Sequence, residues 1–285
     1  MAKRRSEGIG LNKDGSEKLS TVLYDNGIHK CIAFTDLVEG EGIQANQFLI
    51  VHNGEGMILD PGGNLTYKNL LAEMATYFLP AHLDYVFASH EDPDIVASAN
   101  GWLLITDAKI IIAQEWTRFL PHFCSRGMTA GRVIGIPARG MPIELAGQTL
   151  FLIPAHYMHS VGNFQVYDPV SKILFSGDLG ANLVHGHDAS KVIEGAEAFA
   201  AHRAVSSMDG FHRRYMGGQK VCKLWTQMVR GMDIEWIVPQ HGASFKGKAT
   251  ITAFLDWFEA LESGPDLLTQ DDFQFPVPAN PEGDN

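Results

Sequence analysis

Asp84-Tyr85-Val86-Phe87-Ala88-Ser89-His90-Glu91-Asp92-Pro93-Asp94 decides the fold. Its first half reads as a short buried strand, and its second half stops that strand with residues that bind metals. In an extended segment, positions i, i+2 and i+4 face one side, so His90, Asp92 and Asp94 are expected to converge while Glu91 points away. Taken alone, the cluster is equally well read as a chance group of surface acids. Three later positions tip the balance, because each lies just beyond a predicted strand. His159 follows Thr149 to Pro154, Asp178 follows Lys172 to Leu174 in Phe175-Ser176-Gly177-Asp178, and His241 follows Glu235 to Val238 in Pro239-Gln240-His241-Gly242. Loops at sheet edges that carry His, Asp and His are how a rigid scaffold assembles a metal site from distant positions.

Working outward, β-type runs at Leu19 to Asp25, Lys30 to Thr35, Asn46 to His52 and Met57 to Asp60 precede the deciding stretch, with Asn53-Gly54 as a hairpin signal. Leu65, Leu70, Leu71, Met74, Phe78 and Leu79 recur at helical spacing before Pro80. Beyond it, Ile95 to Ile105 suits a helix, Lys109 to Ala113 a strand and Glu115 to Cys124 a helix. Strand patterns resume at Pro142 to Leu145, Thr149 to Pro154, Asn163 to Tyr167 and Lys172 to Ser176. Helices are expected at Glu194 to Val205 and Met208 to Met228, then a strand at Glu235 to Val238 and a helix at Ala249 to Leu261. Strands then helices, repeated with a changeover near residue 140, predict an α/β protein of four layers, αββα. One domain over residues 18–262 is expected, after a flexible segment at 1–17 and before an acidic, Pro-containing tail at 263–285 with Phe273 and Phe275 as anchors.

Composition narrows the function. The 285 residues are 45% apolar and 19% charged, enough for a substantial core. With 22 basic against 33 acidic side chains the formal charge is −11, which disfavours a nucleic-acid partner. The longest apolar stretch, Gly101 to Ala113, is broken by Asp107 and Lys109, so no membrane crossing is expected. No signal peptide is recognisable, so a cytoplasmic location is expected. Cys31, Cys124 and Cys222 form no CxxC pair and read as buried, inert thiols. Twelve histidines make a histidine-bearing metal site worth seeking.

The sequence resembles the metallo-β-lactamase superfamily over roughly residues 18–262. That superfamily's signature is HxHxDH, then a lone His, a bridging Asp and a final His; the flavodiiron branch has HxExDH. Here His90, Asp92, Asp94 and Ile95 occupy the first block, so a carboxylate stands where hydrolases carry their second histidine. The chain therefore resembles the diiron branch, with Asp in place of Glu. The resemblance implies that His90, Asp92 and His159 hold a first metal, Asp94 and His241 a second, and that Asp178 bridges. Ile95 departs from the pattern, replacing a histidine and leaving the second metal with fewer protein ligands. Three imidazoles and three carboxylates without a thiolate form a hard, anionic set that favours iron, with manganese and zinc left open. Two ferrous ions would be neutralised by three carboxylates and one bridging hydroxide.

Flavodiiron proteins reduce dioxygen or nitric oxide with electrons from a flavodoxin-like domain. Only about two dozen residues follow Leu261, too few for an FMN site. The resemblance is thus to stand-alone oxygen-binding diiron proteins, which implies dioxygen or nitric oxide as ligand, a signalling or electron-transfer protein as partner, and a homodimer. Sensor, oxygen carrier and externally fed reductase all stay open. The rival readings are a zinc hydrolase of a phosphoester, thioester or lactone, and a regulatory module whose metal site switches contacts with a partner. Two further residues are candidates for support around the metals. His156 lies three residues before His159, and Tyr215 could donate a hydrogen bond to a bound ligand. His185 and His187 read as a solvent-exposed loop, and Asp60 as a hydrogen-bonding loop holder rather than a catalytic group.

Overall fold

The computed structural model describes residues 19–38, 40–183 and 189–276. The expected N-terminal segment at 1–17, the His185-Gly186-His187 loop and the last part of the acidic tail lie outside the described residues. Among the described residues, β1 (Ser20–Asp25), β2 (His29–Phe34), β3 (Gln47–His52), β4 (Glu55–Leu59), β5 (Leu83–Phe87), β6 (Lys109–Ala113) and β7 (Val133–Ile136) form one sheet in sequence order. The second sheet comprises β8 (Met141–Leu145), β9 (Gln148–Pro154), β10 (Phe164–Asp168), β11 (Ile173–Phe175), β12 (Val192–Glu194), β13 (Trp236–Val238) and β14 (Ser244–Lys246). Its spatial order is β12-β14-β13-β11-β10-β9-β8.

Both faces of the central strands are covered, so these strands are apolar throughout rather than alternating with polar residues. Phe48, Ile50, Met57 and Leu59 project between the sheets and meet Phe164, Val166, Ile173 and Phe175. The Phe48 and Phe175 rings lie 5.1 Å apart, and truncating either to alanine should cost ~3–5 kcal/mol. Leu49 and Ile58 point the other way, onto Leu70 and Met74 of α1 (Asn64–Met74) and Trp102 of α3 (Ala99–Ile105), beyond the short α2 (Pro93–Val96). On the second sheet, Leu174 and Ile237 face α4 (Ala196–Val205), α5 (Met208–Tyr215), α6 (Gln219–Val229) and α7 (Lys248–Glu259) through Phe199, Met208, Trp225 and Phe254. The four layers are therefore helix, sheet, sheet, helix. No helix among the described residues is long and apolar enough to cross a membrane.

The Asn53-Gly54 turn closes β3 on β4 with positive φ at both residues (46° and 90°), the geometry that a two-residue hairpin of this twist requires. Several expected elements differ. Glu115 to Cys124 is not a helix but two separate 3-10 turns, Gln114–Trp116 and Leu120–Phe123, the second with Pro121 in its first turn. Met208 to Met228 is two helices, broken at Met216-Gly217-Gly218, where Gly218 adopts φ 107°. Ile95 to Ile105 is split at Ala97-Ser98, and α1 stops at Met74 rather than near Leu79. Phe273 and Phe275 do not anchor the tail, being 68% and 87% exposed. Asp266 does so instead, accepting from the Gln219 backbone N–H at the start of α6 and from Ser263 N–H.

Candidate metal centre

The site is built where strands of both sheets end. Asp60, just past β4, donates its N–H to Phe87 O (2.8 Å) and accepts the Ser89 N–H on Oδ1 (2.7 Å), tying the ends of β4 and β5 together. Burial pushes its carboxyl up to about 6, partly offset by the Ser89 N–H. Asp60 thus holds the loop that carries His90. Gly62 O accepts the Ser98 hydroxyl (2.6 Å), and a Cβ on Gly63 would stand 2.9 Å from Pro93 O, so the turn after β4 packs directly on α2.

His90, Asp92 and Asp94 converge, but not along a straight extended segment. Asp92 is extended (φ −62°, ψ 149°), Pro93 opens α2, and Asp94 lies in its first turn. The bend sends the two carboxylates to different partners. Asp92 Oδ2 lies 3.4 Å from His159 Nε2, and Asp94 Oδ2 lies 3.4 Å from His241 Nε2. Asp178 sits between them, after Gly177, whose φ of 55° turns the chain at the end of β11. Its Oδ2 is 3.1 Å from His159 Nε2 and 3.8 Å from His90 Nε2, while its Oδ1 is 3.6 Å from His241 Nε2.

The donor set fits a pair of cations. The ligand atoms of His90, Asp92 and His159 all lie within 4.8 Å of one another. His90 Nε2 and Asp178 Oδ1 are buried without a hydrogen-bond partner among the described residues, a state that costs ~1–3 kcal/mol per group unless something else satisfies them. His241 Nδ1–H donates to Gln44 O (2.7 Å), which leaves Nε2, facing Asp94 and Asp178, to take up a proton or a cation. Without metal, His159 and His241 themselves supply positive charge. Burial opposes protonation of His159, but hydrogen bonds to Asp178 and Asp92 carry its pKa up to about 10. His241 rises to about 9 against the same opposition, through Asp178 and Asp94. Burial works against ionising Asp178, yet His90, His241 and His159 hold its carboxyl well below the usual range.

The centre opens into a cavity of about 540 Å³ walled by Ile43, Leu65, Leu183, Phe211 and Tyr215, with Asp92 and Asp94 at its floor. Tyr215 stands edge-on to His159 with ring centres 5.8 Å apart. His156 is turned away from the cluster. Its Nε2 is 2.7 Å from Ala138 O and its Nδ1 3.1 Å from Val161 O, so it ties two loops together. Ile95 is fully buried among Ala88, Val96 and Ile112. Three supporting residues escaped sequence reasoning. Phe211 packs on both His159 and Tyr215. Glu91, pointing away from the cluster, accepts the Ser160 hydroxyl beside His159. His212, buried and pushed down to about 4 by burial, accepts Gly180 N–H on Nε2 (2.8 Å) and donates from Nδ1 to Met208 O, holding the loop that carries Asp178. The only signal for Phe211 and His212 was their place on a helix with Tyr215.

Two sheets between helical layers, with a carboxylate set between two groups of imidazole and carboxylate donors at one end, define a metallo-β-lactamase-like protein. A family profile described as ODP family beta lactamase matches residues 43–242. The chain belongs to this family. It is similar to the solved peroxy diiron species of the chemotaxis sensor ODP (35% identity, TM-score 0.77) and to the apo state of chemotaxis sensor ODP from T. denticola (36%, TM-score 0.75). In each case 90% of this chain and 99% of the other are covered. A flavo di-iron protein mutant from Thermotoga maritima shares the fold at 18% identity and TM-score 0.68, over 84% of this chain and 60% of that one. No curated protein matches the sequence.

Proposed function

We propose that this chain is a non-haem diiron protein that binds dioxygen and serves as an oxygen sensor, with His90, Asp92 and His159 around one iron, Asp94 and His241 around the other, and Asp178 shared between them. The observation that carries this reading is the division of Asp178: one oxygen faces His90 and His159, the other faces His241. A carboxylate so placed suits metals ~3.5–4 Å apart that act on one small molecule. When bound, a ferrous pair supplies the electrons and open positions by which dioxygen, or nitric oxide, is captured.

The residues of the chain shape that capture. Asp60 and His212 hold the two loops that present His90 and Asp178. Phe211 and Leu183 line the approach with apolar surface, and Tyr215 offers a phenol to a ligand in the cavity. The sensor reading is favoured over an externally fed reductase because the relatives that this chain matches over 99% of their length are chemotaxis sensors. It implies a signalling protein as partner. A cytoplasmic setting suits both a ferrous centre and three free thiols.

Anaerobic Fe²⁺-loaded protein mixed with stoichiometric dioxygen tests this by visible absorption from milliseconds to hours. A long-lived ligand-to-metal charge-transfer band is expected. Absence of iron uptake and of any band, with zinc retained instead, would replace this reading by the metal-dependent hydrolase.

A further inference from the structure

At the opposite end of the sandwich, three ligand-type side chains meet in complete burial. His29 and Cys31 alternate on β2 and so project to the same side, between the sheets. Asp168 comes from the other sheet, as the last residue of β10. The first residue of β10, Phe164, bonds to Ser89 O beside His90, so Asp168 lies roughly 13 Å further along the strand, at ~3.3 Å per residue. This cluster is therefore separate from the centre described above.

We propose that His29, Cys31 and Asp168 form a second metal site, for one divalent cation of the zinc class, that staples the two sheets together. His29 Nε2 is 2.8 Å from Asp168 Oδ2, and Cys31 Sγ is 3.4 Å from that oxygen and 3.6 Å from the nitrogen. Tetrahedral zinc with bonds of ~2.0 Å to N and O and ~2.3 Å to S places its ligand atoms about 3.3–3.6 Å apart. Both sulfur distances already match; the N···O pair must open by about half an ångström. One thiolate and one carboxylate balance the two charges of the ion, and imidazole, thiolate and carboxylate together suit zinc better than the thiolate-free set at the other end.

The surroundings are those of a metal site as well. His52 sits directly across from His29 on β3, and its Nδ1 is 3.1 Å from His29 Nδ1, placed to accept the N–H that a ligating imidazole donates from its other nitrogen. Asp168 Oδ1 accepts Val170 N–H (3.0 Å), and the Ser171 hydroxyl donates to Oδ2. The fourth position falls to that hydroxyl or to a water. A nucleophilic triad is excluded by geometry: thiol and carboxylate share the same ring nitrogen, and the three side chains are 0% exposed. Without a cation, the same atoms form a closed hydrogen-bonded trio, which is the competing account.

Cobalt distinguishes the two. Because the cluster is sealed, the full-length protein is produced in Co²⁺-supplemented medium and its near-ultraviolet spectrum is recorded with its metal content. A thiolate-to-cobalt charge-transfer band is expected, which the thiolate-free centre cannot give. Cys31→Ser should lose that band and about one equivalent of cobalt, and Asp168→Asn should lower cobalt content with the thiol intact. No such band in wild-type protein, or a band that survives Cys31→Ser, overturns the proposal and leaves the hydrogen-bonded trio. Neither result bears on the oxygen chemistry of the first centre.

Discussion

The two oxygens of Asp178 look onto unequal halves of the metal centre. On the Oδ2 side stand two imidazoles, His90 and His159, with Asp92 beside them. On the Oδ1 side stand one imidazole, His241, and Asp94, while Ile95 is packed into the apolar cluster of Ala88, Val96 and Ile112. The first half has three protein donors of its own and the second has two. On the proposed assignment, an ion in the second half would depend more on the shared carboxylate and would leave more positions for an exogenous ligand. The asymmetry arises in the backbone: the turn from extended Asp92 into α2 is what separates the two carboxylates.

Asp178→Ala tests the shared role with the largest effect. Both ions should be lost, since one side chain serves both halves, and affinity should fall by more than the ~10–100-fold that removing a supporting partner costs. Metal content after anaerobic desalting measures it. Retention of one tightly held ion would show that Asp178 belongs to one half only.

Removing the metals altogether exposes the charge balance through pH. The pKa values of His159 and His241 are raised in the folded protein, to about 10 and about 9, against 6.5 ordinarily. Their stabilisation is full below about 6.5 and is lost as pH rises through 9 to 10. Asp178 is depressed, so its share is present above its ordinary value of 3.8 and is lost as pH falls through its lower folded value. The metal-free thermal midpoint should peak between about 4 and 6.5 and decline on both sides. Metal must displace protons from the same imidazoles, so the shift in midpoint on adding Fe²⁺ should grow from pH 6.5 upward. A flat profile in the metal-free protein would mean that His159 and His241 do not carry its charge balance.

How far the sequence discloses this molecule depends on the range of each signal. His90, Asp178 and His241 are legible because each follows a run of mostly buried strand residues, and His159 because it follows the half-buried strand β9. The central strands are legible because both of their faces are apolar. β12 and β14 span three residues each, too few to show a period, and β7 carries Gly135 in its middle. The Glu115 to Cys124 pattern has helical spacing, but Pro121 interrupts it. Which oxygen of Asp178 faces which histidine is a matter of tertiary geometry alone. Cys31 reads as an inert thiol because its partner Asp168 lies 137 residues away, on the other sheet.

His241→Ala separates the halves next in size. It removes the single imidazole of the second half and should leave about one ion per chain, held by His90, Asp92 and His159. Loss of both ions in this variant would mean that the first half cannot stand without the second, and the inequality drawn from donor counts would fail.

Ile95→His should produce the smallest change and is the most direct attempt to equalise the halves. A histidine here can add a fourth donor beside Asp94, His241 and Asp178, and an added ligand should tighten the second ion by about tenfold, ~1.4 kcal/mol. The gain is opposed locally, because the imidazole enters the apolar pocket now filled by Ile95, where an unpaired polar group costs ~1–3 kcal/mol. The metal-free variant should therefore melt lower than wild type, and Fe²⁺ should raise its midpoint by more. Oxygen should also bind more slowly, since the added donor would take up a coordination position on the second ion. Competition titration of the second ion and stopped-flow mixing with dioxygen measure the two effects. Unchanged affinity together with an unchanged rate would show that residue 95 sets only the packing of α2, and that the asymmetry of the centre rests on two imidazoles, His90 and His159, against His241 alone.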